Sequence, residues 1–240
     1  MTRTSQPATA TSDGHPETLA ARVAWYGLIT GIALIPLVTS VVPGASGAVW
    51  ALTSDPYHLP KLLALSVVCL VASVAWTADL FRSQRSARIA PSLVALGAFA
   101  GLTLVSTAAA SEPLSSLLGA SGLSTGTVTW LLSVWLCVLV GQYATSARAL
   151  TDLAWAFVAG CTVVGAIALL GALGADPLGT PFVSETEWMV RRGMATVGNP
   201  DHTGVLLVAP AVLAAALGLA GRTPWRLWLA IGCGAVIAAG

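Results

Sequence analysis

Residues 150–174 read LTDLAWAFVAGCTVVGAIALLGALG, and after Asp152 no charged side chain follows until Asp176. About 20 apolar residues in a helix rising 1.5 Å each cross the roughly 30 Å of hydrocarbon in a bilayer, so this stretch predicts a membrane-spanning helix. Its many Gly, Ala and Thr residues let helix backbones approach closely, where lipid supplies no hydrophobic drive between helices. Outward from this stretch, comparable apolar runs recur at about 23–42, 60–78, 89–108, 127–144, 203–220 and 226–240. The predicted class is an all-α, polytopic transmembrane bundle of about seven helices, occupying residues 22–240. Pro36 and Pro210 fall inside two spans and predict kinks there. No repeat of fixed period is present.

The composition of the 240-residue chain agrees: 56% of residues are hydrophobic and 9% charged, where soluble domains carry about 25% charged. Lys and Arg number 11 against 10 Asp and Glu, a net charge of +1, so no basic surface exists to hold nucleic acid. Cys69, Cys137, Cys161 and Cys233 all lie in apolar runs without CxxC or Cys/His spacing, and read as inert small hydrophobes. Residues 1–21 are polar and rich in Thr, Ser, Ala and Pro, and read as a disordered cytoplasmic tail. A signal peptide would need a short apolar core and a small-residue cleavage site. The run from Val23 to Val42 is too long for that core and lacks a clear cleavage site.

The last run, Leu227–Gly240, reaches about 21 Å as helix. It reads as a truncated span at the front part of a longer protein, or as a short or tilted final helix.

Short loops rich in Lys and Arg stay in the cytoplasm. With the amino terminus inside, cytoplasmic segments hold Arg3, Arg22, Arg82, Arg85, Arg88, Arg148, Arg222 and Arg226, leaving only Lys61, Arg191 and Arg192 outside. Acidic residues lean outward: Asp55, Glu112, Asp176, Glu185, Glu187 and Asp201. The outer loops are then 43–59, 109–126 and 175–202, and the third is the longest and most polar. Chemistry on the outer face belongs on such loops, held by a rigid helical frame.

Lys61 breaks the orientation rule, at a helix start where the dipole disfavours a cation. Its long stem can snorkel to the interface, or its charge can face an anionic headgroup or a diphosphate. His58 reads as an interfacial residue, and Asp55-Pro56 as a turn. Arg191 and Arg192 form the basic pair outside, followed by Gly193-Met194-Ala195-Thr196-Val197-Gly198-Asn199-Pro200-Asp201-His202. Asn199 suits an N-cap, with Pro200 at the first helical position and Asp201 in the first turn. A helix start also presents N–H groups to an anion, and an arginine pair adds bidentate contacts to phosphate oxygens. The alternative for the pair is solvation beside Glu185 and Glu187. His202 suits a general base or simple helix-start polarity. Asp152 sits in a first turn that suits its charge. No charged residue lies deep within a span, so the ion-relay signature of pumps is missing. No P-loop, GxSxG or HExxH pattern occurs.

Three stretches resemble the O-antigen ligase and polymerase family of bacterial envelope proteins. Arg192-Gly193-Met194-Ala195-Thr196-Val197-Gly198-Asn199-Pro200-Asp201 resembles that family's R-x-x-G-T-F-G-N-P-N run, which opens a membrane helix. Ser111-Glu112-Pro113-Leu114-Ser115-Ser116-Leu117-Leu118-Gly119 resembles its S-x-D-P-x-x-S-L-x-G outer loop, and Leu59-Pro60-Lys61 the Pro-Lys that starts its second helix. Helix order and orientation also fit, over about residues 20–240. Ala195 stands where the family has Gly, Val197 where Phe is usual, Asp201 where Asn is usual, and Glu112 replaces Asp. The resemblance implies transfer of a glycan from a polyprenyl (undecaprenyl) diphosphate carrier to an acceptor on the outer face of the bacterial cytoplasmic membrane. It implies inversion, with no metal and no cofactor. Cations must then stabilise the leaving diphosphate: Arg192 as the catalytic cation, with Arg191, Lys61, Asn199 and His202 binding substrate. The family's catalytic His lies in a larger outer loop that would follow this stretch, so this chain alone is expected to be inactive. The implied partners are the lipid-linked glycan and membrane lipids, and no nucleic acid. The alternatives are a small-solute or bicarbonate-type transporter, which calls for broken helices or mid-span ionisable residues, and a non-catalytic membrane subunit.

Overall fold

The computed structural model describes residues 18–39, 57–83, 87–88, 90–119, 126–175, 177–178, 192–193, 195–220 and 224–239. Of the tail expected at 1–21, residues 1–17 lie outside the described residues, as do Arg85, Arg191, Glu185, Glu187 and Arg222, whereas Leu19, Ala20 and Ala21 are not disordered but belong to the first helix. Among the described residues the protein is all-α, with helices α1 Leu19–Leu34, α2 His58–Ser83, α3 Pro91–Ala108, α4 Pro113–Leu118, α5 Thr127–Tyr143, α6 Ala147–Ala172, α7 Pro200–Ala220 and α8 Pro224–Ala239. Two 3-10 turns, Ile35–Leu37 and Ala195–Val197, follow α1 and precede α7. Five segments are long and apolar enough to cross a membrane, and α5 and α8 are shorter apolar helices. The fold is that of a multi-pass helical membrane protein.

The helix ends follow local chemistry. At the head of α1 the Thr18 hydroxyl accepts from the Ala21 amide (3.0 Å) and donates to Asp79 Oδ1 (2.5 Å). The helix therefore starts four residues before the apolar run at 23, because the cap decides the start. It stops short of 42: Pro36 lies in the 3-10 turn that follows Leu34, and 40–42 lie outside the described residues. Helix α2 extends past the expected 60–78 at both ends. Pro60 fits in its first turn, where amides have no helical partner, and Asp79, buried against α1, does not end it. Ser146 caps α6 by accepting from the Ala149 amide (3.1 Å), so α6 begins at 147 rather than 150. Helix α7 begins at Pro200, as the Asn-Pro-Asp reading requires, rather than at 203. The loop expected outside, 109–126, holds the short helix α4, which the apolar-run reading did not include. Pro210 lies buried inside α7, which continues through it.

Helix α1 packs antiparallel on α2 and parallel to α6, with α5 closing one side and α7 and α8 the other. Its approach to α6 is so close that a Cβ on Gly160 would strike the Ala33 carbonyl. Leu28, Ala72 and Leu139 form one core between α1, α2 and α5. Val158, Cys161, Val164, Leu207, Ala214 and Ile237 form another between α6, α7 and α8. Helices α2 and α5 run parallel: Cys69 Sγ donates to the Leu132 carbonyl (3.5 Å), and Trp135 Nε1 donates to the Ser73 hydroxyl (2.7 Å). Helix α3 lies at the periphery, packed on α4 and α5. Arg88 exchanges two backbone hydrogen bonds with the Gln142 side chain (2.9 and 3.1 Å), which puts the start of α3 beside the end of α5. The alternation leaves the bundle with two ends. One carries Val38, His58, Lys61 and the approach to α7; the other carries Thr18, Asp79, Arg82, Arg88 and Arg148.

Candidate functional site

The segment before α7 is shaped by three left-handed residues. Gly193 (φ 83°) and Gly198 (φ 81°) adopt that conformation without a steric penalty. Ala195 (φ 45°) does not, and this is the position where the resembling pattern carries glycine. The alanine is buried against the α6–α8 core, and the next residue locks the turn: the buried Thr196 hydroxyl donates to the Pro36 carbonyl (2.7 Å). Gly198 lies so close to the Tyr57 ring that a side chain would collide with it.

Lys61 closes the arrangement. Its ammonium donates to the carbonyls of Val38 (2.9 Å), Tyr57 (3.1 Å) and Thr196. A lysine has three donors and no acceptor, and these carbonyls suit it as partners. One cation thereby ties the end of α1, the start of α2 and the turn before α7 together. The carbonyls also explain why a cation sits at a helix start where the dipole opposes it.

Beyond that turn Asn199 caps α7. Its Oδ1 accepts from the Asp201 amide (2.8 Å) and the His202 amide (3.4 Å), and its carbonyl accepts from Thr203. Pro200 has no amide proton to offer. The first-turn donors that an anion at this terminus would use are thus held by the cap, and recognition of a phosphate here falls to side chains. Arg192 is exposed, one residue before the buried Gly193. His202 is exposed in the first turn of α7, and its ring lies 6.4 Å from that of His58, edge to face. The structure therefore brings Lys61 and Asn199 to one end of the bundle with His58 and His202, and Arg192 is on the same short approach to α7. Arg191 is outside the described residues.

Three participants were not singled out in the sequence. Thr196 contributes both its hydroxyl and its carbonyl, Val38 contributes a carbonyl, and Tyr57 contributes a carbonyl and the ring beside Gly198. An alanine at 195 does not signal the left-handed turn that holds Thr196, and backbone acceptors leave no signal either. The 111–119 stretch forms a separate part of the same end. Its Ser115 hydroxyl donates to Glu112 Oε2 (3.0 Å), and the Ser116 carbonyl accepts from Thr127 (3.2 Å), seating α4 on α5. No protein-family model, curated protein or solved structure matches this chain.

Proposed function

We propose that this chain is the amino-terminal membrane part of a glycosyltransferase of the O-antigen ligase and polymerase type. In this reading it holds a polyprenyl-diphosphate-linked glycan at the outer face of a bacterial cytoplasmic membrane. One observation carries the reading. Lys61 of the Pro-Lys stretch is bonded to Thr196 of the Arg192–Asp201 stretch, so two of the three resembling stretches meet at one end of the bundle. The left-handed Ala195 adds to it, because the resembling pattern has glycine where this backbone favours glycine.

The chemistry follows from the charges at that end. A departing lipid diphosphate gains negative charge, and a planar guanidinium contacts two of its oxygens at once. Arg192, with Arg191 beside it in sequence, is the group for that contact. Lys61 acts as a positioning residue that holds the turn carrying Arg192, because its donors face carbonyls. His202 and Asn199 border the same entrance to α7. The orientation that puts this end outside leaves the described cations Arg22, Arg82, Arg88, Arg148 and Arg226 at cytoplasmic helix ends. The transport alternative lacks comparable support: Asp79, the buried charged side chain among the described residues, sits near a helix end and is bonded to Thr18.

The test is transfer of glycan from a polyprenyl diphosphate donor in membranes carrying the intact gene product. Arg192→Ala should slow turnover by about 10²–10³ with a smaller effect on KM, and Arg192→Lys should restore only part of it. Unchanged turnover in Arg192→Ala, at equal expression and insertion, would remove the assignment.

A further inference from the structure

At the opposite end of the bundle, α1 and α2 leave a surface groove of about 480 Å³. Its walls are Leu19 and Val23 of α1 and Leu70 and Val74 of α2, all exposed, and its floor is the buried pair Ala20 and Ala75. Apart from one residue the lining is apolar. That residue is Arg82, in the last turn of α2. Asp79, one turn earlier, is buried and accepts the Thr18 proton, so it faces α1 rather than the groove mouth. Along α2, Leu70 to Arg82 covers about 18 Å of helix, close to the roughly 15 Å depth of one leaflet's hydrocarbon. The groove is therefore about one acyl chain deep, with a cation at the level of the headgroups.

We infer that this groove binds one anionic glycerophospholipid, an acyl chain lying between α1 and α2 and the headgroup phosphate on Arg82. A partner helix would cross both leaflets, whereas this groove runs for one. A zwitterionic headgroup would present an ammonium beside the guanidinium, so the charge selects an anionic lipid. The inference stands apart from the glycosyltransferase reading and uses none of its site residues.

The experiment is native mass spectrometry of the detergent-solubilised protein with phosphatidylglycerol or phosphatidylcholine of matched chains. One phosphatidylglycerol should be retained about fivefold over phosphatidylcholine, the factor expected of one cation near an anionic headgroup. Arg82→Gln should bring that ratio to about one, and Arg88→Gln, at the same end but off the groove, should leave it unchanged. Val74→Trp should reduce retention of both lipids. Arg82 is exposed, so its replacement leaves the packed bundle intact and keeps the result readable even if Val74→Trp fails to fold. Equal retention of the two lipids by the unaltered protein would overturn the inference. Equal losses in Arg82→Gln and Arg88→Gln would also overturn it, in favour of diffuse charge. A dimer that Val74→Trp dissolves would overturn it in favour of a second copy of this chain.

Discussion

Replacing Lys61 with Met keeps the aliphatic stem and removes the ammonium. The carbonyls of Val38, Tyr57 and Thr196 then lose a charged donor at once. Hydrogen bonds to charged groups contribute about 1.5–3 kcal/mol each, and they are not additive. Lys61 is half-buried at the end of the bundle, so water reaches part of the vacated space. A loss of about 3–5 kcal/mol is therefore expected, near the upper range of single substitutions. At about 2–4 °C per kcal/mol for a chain of this size, Tm should fall by roughly 6–20 °C. Tryptophan fluorescence during heating in mild detergent reads this directly. Lys61→Arg should recover part of the loss, because a planar fork does not converge on three carbonyls as an ammonium does. A Tm for Lys61→Met within about 2 °C of the unaltered protein would refute the three-way tie, since that corresponds to about 1 kcal/mol or less.

Three further outcomes are expected. Gly160→Ala should destabilise by about 1–3 kcal/mol or more, because its Cβ meets the Ala33 carbonyl; Gly27→Ala, with nothing within 4 Å, should be neutral or stabilising in the same unfolding assay. Ala195→Gly should raise stability by up to about 1 kcal/mol, because relief of a left-handed alanine exceeds the entropy cost of glycine, while Gly198→Ala should lower it. In a Cys-free background, Ser184→Cys should react with impermeant maleimide in intact cells and Ser86→Cys should not; the reverse pattern would invert the proposed orientation.

The spans were legible because their signal is local: an uncharged run such as 153–174 has no other stable form in lipid. Their ends were less legible where one contact decides them. The distant Asp79 meets the α1 cap at Thr18, and no apolar count registers that pair. Asn199 was different, since a cap residue followed by Pro and Asp announces a start in the side chains themselves, and that reading located α7 correctly while the apolar run began three residues late; Ser146 was not read as a cap, and the start of α6 was placed three residues late. The candidate site was legible in its residues and not in its geometry. Lys61 stood out as a misplaced cation, but its partners are backbone carbonyls, and one of them is 135 residues away. Likewise Ala195 registers in the sequence only as a departure from a pattern; its positive φ is what gives the departure a physical cost.

The most direct measurement is the affinity of the purified protein for undecaprenyl diphosphate against undecaprenol, which share the tail and differ in the charged head. A site at the His58 end that recognises the diphosphate should bind the diphosphate at least about tenfold more tightly, a difference of about 1.4 kcal/mol. Arg192→Ala should reduce that ratio to about one. Equal affinity for the two lipids, or a preference that survives Arg192→Ala, would contradict the proposed function.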